Sequence, residues 1–141
     1  MTIKNYLITQ TCDYHILFEN LNINFDSKQI IFLKGNLGSG KTSLVNELLR
    51  YLYNFNKTSS PTFGIINSYI VKDKHIYHYD LYRINDSSEL DEIGFYNNLE
   101  INTIHFIEWP EIIPSKIIKS DVDIYLEVIN GQRLISVDID D

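Results

Sequence analysis

Residues Lys34 to Leu44 read KGNLGSGKTSL, and Gly35, Gly40, Lys41 and Thr42 fill the pattern G-x-x-x-x-G-K-[ST]. A triphosphate pocket needs these residue types. Gly35, Gly38 and Gly40 let the backbone curl without Cβ clashes, so that its N–H groups point at β- and γ-phosphate oxygens. Lys41 supplies a point charge to the same oxygens, and the Thr42 hydroxyl is a hard oxygen ligand for Mg²⁺. The candidate nucleotide-binding segment is therefore Gly35, Asn36, Leu37, Gly38, Ser39, Gly40, Lys41, Thr42 and Ser43, with Lys41 also a candidate for acting on a reacting phosphoryl group. The four fixed positions arise by accident in roughly one protein of this size in two hundred, so the flanks have to decide.

They do. Gln29 to Leu33 (QIIFL) is an unbroken apolar run, the pattern of a strand buried on both faces. After the loop, Lys41 to Tyr53 reads as a helix, with Leu44, Val45, Leu48, Leu49 and Leu52 recurring every three to four positions. Upstream, Asn5 to Thr9 reads as a short strand and Asp13 to Asn22 as a short helix. The tract SPTFGIINSYIVKDKHIYHYDLYRI, Ser60 to Ile84, reads as two long strands joined at Lys72-Asp73-Lys74. Ser87 to Ile93 is expected as a short helix capped by Ser88 or Asp86. Thr103 to Ile107 is a second apolar strand. Val122 to Ile129 and Arg133 to Ile139 are expected to pair as a C-terminal hairpin across Asn130-Gly131. The elements define an α/β fold class, and residues 1–141 are expected to form one domain.

Magnesium needs more than one hydroxyl. Glu108 stands at the mouth of the strand Ile104 to Ile107, where Pro110 stops it, and is the candidate second anchor. In HIYHYDLYRI, period two puts His78, Asp80 and Tyr82 on one side and Tyr79, Leu81 and Arg83 on the other. The first trio looks too polar for a core. Turned toward a γ-phosphate, that face would let Asp80 orient the attacking water. From the spacing alone, a hydrogen-bonded, solvent-facing strand is slightly favoured.

Composition excludes several other uses. The chain has 12 basic and 19 acidic residues, a net charge of −7, with its lysines scattered, so direct and strong nucleic-acid binding is disfavoured. Cys12 stands alone, which points to no disulfide framework and a reducing compartment. No export signal or membrane span is visible, and a cytoplasmic location is expected. A small-molecule kinase needs several arginines to hold an acceptor and close a lid. Here only Arg50, Arg83 and Arg133 occur. A guanine-reading N-K-x-D loop is absent, since Asn56-Lys57 is followed by Thr58-Ser59. The D-x-x-G match at Asp91–Gly94 falls on the expected short helix rather than after a strand. Two uses remain, an ATPase that drives a partner and a nucleotide-gated binding module.

SSPTF at Ser59–Phe63, HYDLYRI at His78–Ile84, ELDEIGF at Glu89–Phe95 and IEWPE at Ile107–Glu111 follow the phosphate loop in fixed order. Together they resemble the TsaE family, small bacterial ATPases needed for threonylcarbamoyladenosine formation on tRNA. The likeness runs from about Gln29 to Arg133. It implies a three-layer P-loop NTPase domain with a central mixed β-sheet, binding ATP with Mg²⁺ held by Thr42 and Glu108. It also implies that Asp80 is functionally required, that Trp109 lies near the nucleotide, and that Thr62 belongs to a switch loop near the γ-phosphate. Arg133 would approach the base, with Thr11 capping its other side. The implied partner is the TsaB–TsaD heterodimer, which stimulates a weak ATPase and through which tRNA is reached indirectly. The chain alone would be a monomer or weak oligomer. Asn36 departs from the family, whose members usually carry Asp there; the amide keeps the size and hydrogen bonding and loses a charge.

Overall fold

The structure is a computed structural model that describes residues 2–10, 12–21, 27–36, 38–55, 65–99 and 102–139. In chain order its elements are β1 (Thr2–Ile8), α1 (Cys12–Leu21), β2 (Gln29–Lys34), α2 (Lys41–Tyr53), β3 (Ile66–Val71), β4 (Lys74–Asp80), α3 (Glu89–Glu92), β5 (Thr103–Glu108), β6 (Val122–Ile129) and β7 (Gln132–Ile139). The strands form one seven-stranded sheet in the order β1-β7-β6-β2-β5-β4-β3. Its centre is parallel, β6 to β2, β2 to β5 and β5 to β4. Antiparallel pairs flank it, β6–β7–β1 on one side and β4–β3 on the other. Among the described residues no helix is long and apolar enough to cross a membrane.

Period two divides the core between the two faces. Ile31 and Leu33 of β2, Ile76 of β4, Ile104 and Phe106 of β5 and Ile124 of β6 pack with α1 and with Leu44, Val45, Leu48 and Leu49 of α2. Each of those helix side chains contributes roughly 1.5–3 kcal/mol by leaving water. Ile30, Tyr79 and Ile107 point the other way, under Leu81, Ile84, Leu90, Phe95 and Ile113. The expected three layers are present, with α1 and α2 on one face and short helical turns on the other. α2 ends on Asn54 in the left-handed conformation. The Asn54 and Phe55 N–H groups return to the carbonyls of Arg50 and Leu49, satisfying the last turn.

Helix α2 has the bounds its periodicity predicts, and β2 and β5 each gain one residue. β1 starts earlier than expected, at Thr2, because β7 pairs with it along its whole length. α3 is shorter than Ser87 to Ile93, and Ser88 makes no side-chain cap; instead Asp86 Oδ1 accepts from the Ser88 N–H at 3.1 Å. Both hairpin turns have two residues, Lys72-Asp73 and Asn130-Gly131, each with two positive φ angles. That is the twist the right-handed strands require. Lys74 therefore belongs to β4 and Gln132 to β7. The Asp91–Gly94 match lies on α3 and its C-terminal turn.

The largest correction concerns the polar strand. β4 ends at Asp80, and Leu81–Arg83 forms a 3-10 turn whose Tyr82 N–H donates to Asp80 Oδ1 at 3.1 Å. The alternation stops there, so Tyr82 is exposed rather than facing with His78 and Asp80. His78 is only 1 % exposed, and the solvent-facing strand is not what forms.

On the opposite face His105 is fully buried between the Tyr77 and Tyr79 rings, its Nε2 bonded to Thr103 Oγ1 at 2.8 Å. Burial, with a smaller push from Lys28, lowers its pKa from 6.5 to about 4. Between these values the unfolded chain binds a proton that the folded chain refuses. Stability therefore falls as pH drops across that window, by up to about 3 kcal/mol. Denaturant titrations from pH 7 to 4 should show this loss and a flatter profile in His105→Phe. Equal slopes would contradict the assignment.

Candidate nucleotide-binding site

Strand register gathers the candidate residues at one edge of the sheet. Leu33 of β2 lies beside Glu108 of β5, and Glu108 lies beside Asp80 of β4. The glycine-rich loop, Glu108 and Asp80 thus meet at the carboxyl ends of parallel strands, where open α/β sheets bind ligands. The alternation that sends Ile76 and Phe106 toward α2 also sends His78, Asp80 and Glu108 to that side. Between them and the start of α2 lies a cleft of about 390 Å³ lined by Gly38, Gly40, Lys41, Thr42, Ser43, Asp80, Glu108 and Arg133. The first turn of α2 carries no acidic residue, so its N-terminal dipole is left to attract an anion.

Two glycines are required by space. A Cβ on Gly35 would come within 2.5 Å of the Leu126 carbonyl oxygen. Gly40 has φ 102°, and a Cβ there would meet the Arg133 guanidinium at 2.8 Å. Lys41 is 5 % exposed; its Nζ donates to the carbonyls of Gly35 at 2.7 Å and Asn36 at 3.1 Å, and lies 4.9 Å from the Trp109 ring centre. Both acceptors are backbone carbonyls, and Lys41 lines the cleft. Asn36 also accepts from the Ser39 N–H through its carbonyl at 3.1 Å. Ser39 is buried, and its hydroxyl has no hydrogen-bond partner among the described residues. Ser43, the third residue of α2, is half-buried.

Thr42 Oγ1 donates to Glu108 Oε2 at 3.5 Å. The same oxygen meets His78 Nε2 at 2.5 Å. Asp80 is half-buried beside Glu108 and uses Oδ1 to hold the Tyr82 N–H. Arg133 Nη1 donates to the Tyr14 hydroxyl of α1 at 2.8 Å, which fixes its guanidinium over Gly40. Trp109 has φ 58°, an uncommon angle for a bulky residue, and its ring packs on exposed Tyr82 with centroids 5.0 Å apart. Thr11, Leu37, Thr62 and the SSPTF segment lie outside the described residues.

The donor set fits a magnesium polyphosphate. The Thr42 hydroxyl and the Glu108 carboxylate are hard oxygen donors on one cleft, and they are the residues that would hold the ion. Among the described residues no group of three or more His, Cys, Asp or Glu could hold a metal alone. The orphaned Ser39 hydroxyl is the kind of buried polar atom that a bound polyphosphate or water satisfies.

Three contacts around the cleft are not legible in the sequence. His78 was visible as a polar residue on the Asp80 face, but its partner lies 30 residues away. Tyr14, which holds Arg133, looks like any core residue of α1. The alternation puts Tyr82 with His78 and Asp80, because nothing in it marks that the strand stops at Asp80.

A buried parallel strand running through a glycine loop into a helix, with a carboxylate on the next strand, defines a protein of the P-loop NTPase fold class. Bacillus subtilis YdiB, a crystal structure, superposes with a TM-score of 0.65 at 18 % identity, covering 96 % of this chain and 84 % of that one. Residues 9–135 match the family described as threonylcarbamoyl adenosine biosynthesis protein TsaE, and the chain belongs to that family. The tRNA threonylcarbamoyladenosine biosynthesis protein TsaE of Rickettsia conorii is 39 % identical over 110 residues, 77 % of this chain and 62 % of its own length. The TsaE proteins of Rickettsia typhi and Haemophilus influenzae are 36 % and 33 % identical, over 81 % and 74 % of this chain and 80 % and 69 % of theirs. The match thus spans less than two-thirds of the Rickettsia conorii relative.

Proposed function

We propose that this chain is the ATP-binding and ATP-hydrolysing subunit of the machinery that forms threonylcarbamoyladenosine at position 37 of tRNA, turning over on the TsaB–TsaD heterodimer to support the modification cycle. The observation that carries this reading is the approach of the Thr42 hydroxyl to the Glu108 carboxylate, 3.5 Å apart beside Lys41 and the loop amides. Lys41 and the amides bind phosphate, and Thr42 and Glu108 are the residues that would hold Mg²⁺, whose chemistry there would be to offset charge on the phosphoryl oxygens. Asp80 orients water or the switch loop containing Thr62, and Arg133 and Thr11 border the nucleotide. The chain works as one domain in the cytoplasm, weakly active and monomeric or weakly oligomeric alone. Its net charge of −7 supports contact with tRNA only through the partner complex.

Measuring ATP turnover with and without purified TsaB and TsaD tests the proposal. Acceleration by the pair is expected; unchanged turnover would make the nucleotide a structural ligand and overturn the motor reading. Trp109 is the chain's one tryptophan. Because Lys41 must leave its loop carbonyls to meet phosphate beside this ring, Trp109 emission should change when ATP and Mg²⁺ are added. A flat signal would remove Trp109 from the nucleotide's neighbourhood.

A further inference from the structure

His78 occupies a core position. It follows Ile76 on the α2 side of β4, opposite Phe106 of β5, and an apolar residue there would extend the buried stripe. An imidazole in that place loses its water and needs a partner. The partner is Glu108, itself only 5 % exposed, reached diagonally across the strand pair at 2.5 Å. The contact is made to Oε2, the oxygen that also accepts from Thr42.

We infer that His78 is a positioning residue for the divalent cation, fixing the Glu108 carboxylate beside the Thr42 hydroxyl before the ion arrives. The inference rests on the proposed Mg²⁺–nucleotide function. A free glutamate side chain explores several rotamers, and ordering it opposes binding of whatever it must hold. The His78 bond removes that freedom in advance. A carboxylate has about four lone-pair sites, so one bond to the imidazole and one to Thr42 leave room for a cation. Partners behind a ligating group commonly set metal affinity, and their loss costs about ten- to hundredfold.

The test is equilibrium binding of N-methylanthraniloyl-ATP against Mg²⁺ concentration for the native chain, His78→Leu and His78→Gln, each checked by thermal unfolding. His78→Leu should raise the half-saturating Mg²⁺ concentration about ten- to hundredfold while affinity in EDTA stays within about twofold. His78→Gln, whose amide can donate to Glu108, should recover most of the loss. An unshifted Mg²⁺ midpoint in His78→Leu overturns the inference, and so does an equal loss of affinity in EDTA. Should His78→Leu fail to fold, the native protein decides: the His78 imidazole nitrogen resonances must move when Mg²⁺ is added to the nucleotide complex, and unmoved signals overturn the role. If the native chain shows no Mg²⁺-dependent binding at all, the nucleotide function falls with it; if it does and the variants match it, only the His78 assignment falls.

Discussion

Lys41→Ala is expected to raise the ATP dissociation constant at least about thirtyfold in titration calorimetry with Mg²⁺, the equivalent of about 2–5 kcal/mol for removing one partner of a desolvated charge pair. Lys41 is nearly buried, and among the described residues its ammonium donates to the uncharged Gly35 and Asn36 carbonyls, which leave its charge for a phosphate. Truncation does two things at once. It removes the charge, and it strips the aliphatic stem from the wall beside Trp109. Lys41→Met separates them, because it keeps the stem. Affinity should be lost in both variants and thermal stability should hold better in Lys41→Met. Retained affinity in Lys41→Met would mean that the loop amides and the α2 dipole bind the nucleotide without the cation, contrary to the proposed cradle.

What was legible in the sequence follows from which forces act locally. β2 and α2 are written in apolar periodicity and in glycine spacing, and both form nearly where expected. The two-residue turn at Asn130-Gly131 follows from backbone preferences of the residues themselves. Strand order is different. Nothing near β1 says that its partner is β7, at the far end of the chain, and that pairing extends it to Thr2. The same is true of the site. Thr42, Glu108 and Lys41 are recognisable because the proposed magnesium polyphosphate would demand such groups, whereas His78 is bonded to Glu108 across a strand pair. Its polarity, read locally, points to solvent; its burial follows from a carboxylate that only the fold supplies. Arg133 shows the intermediate case: resemblance puts it near the nucleotide, but Tyr14 and Gly40 decide where its guanidinium lies.

Asp80 has a structural duty as well as the proposed chemical one, and the two can be pulled apart. Its Oδ1 closes the turn that ends β4 by accepting from the Tyr82 N–H, while its position beside Glu108 sets the carboxylate at the cleft. Losing a cap of this kind costs about 1 kcal/mol. Losing a group that orients an attacking water costs about a hundredfold or more in rate. Asp80→Ala removes both functions, and Asp80→Asn keeps an oxygen for the Tyr82 N–H while discarding the charge. Both variants should bind ATP within a few-fold of the native chain, because the phosphate contacts come from the loop and Lys41. Turnover stimulated by TsaB and TsaD should fall about a hundredfold or more in both. If Asp80→Asn turns over normally while Asp80→Ala does not, the residue matters through the turn and through the Tyr82–Trp109 stack it supports. If both turn over normally, Asp80 has no part in hydrolysis, and the water must be oriented from elsewhere in the complex.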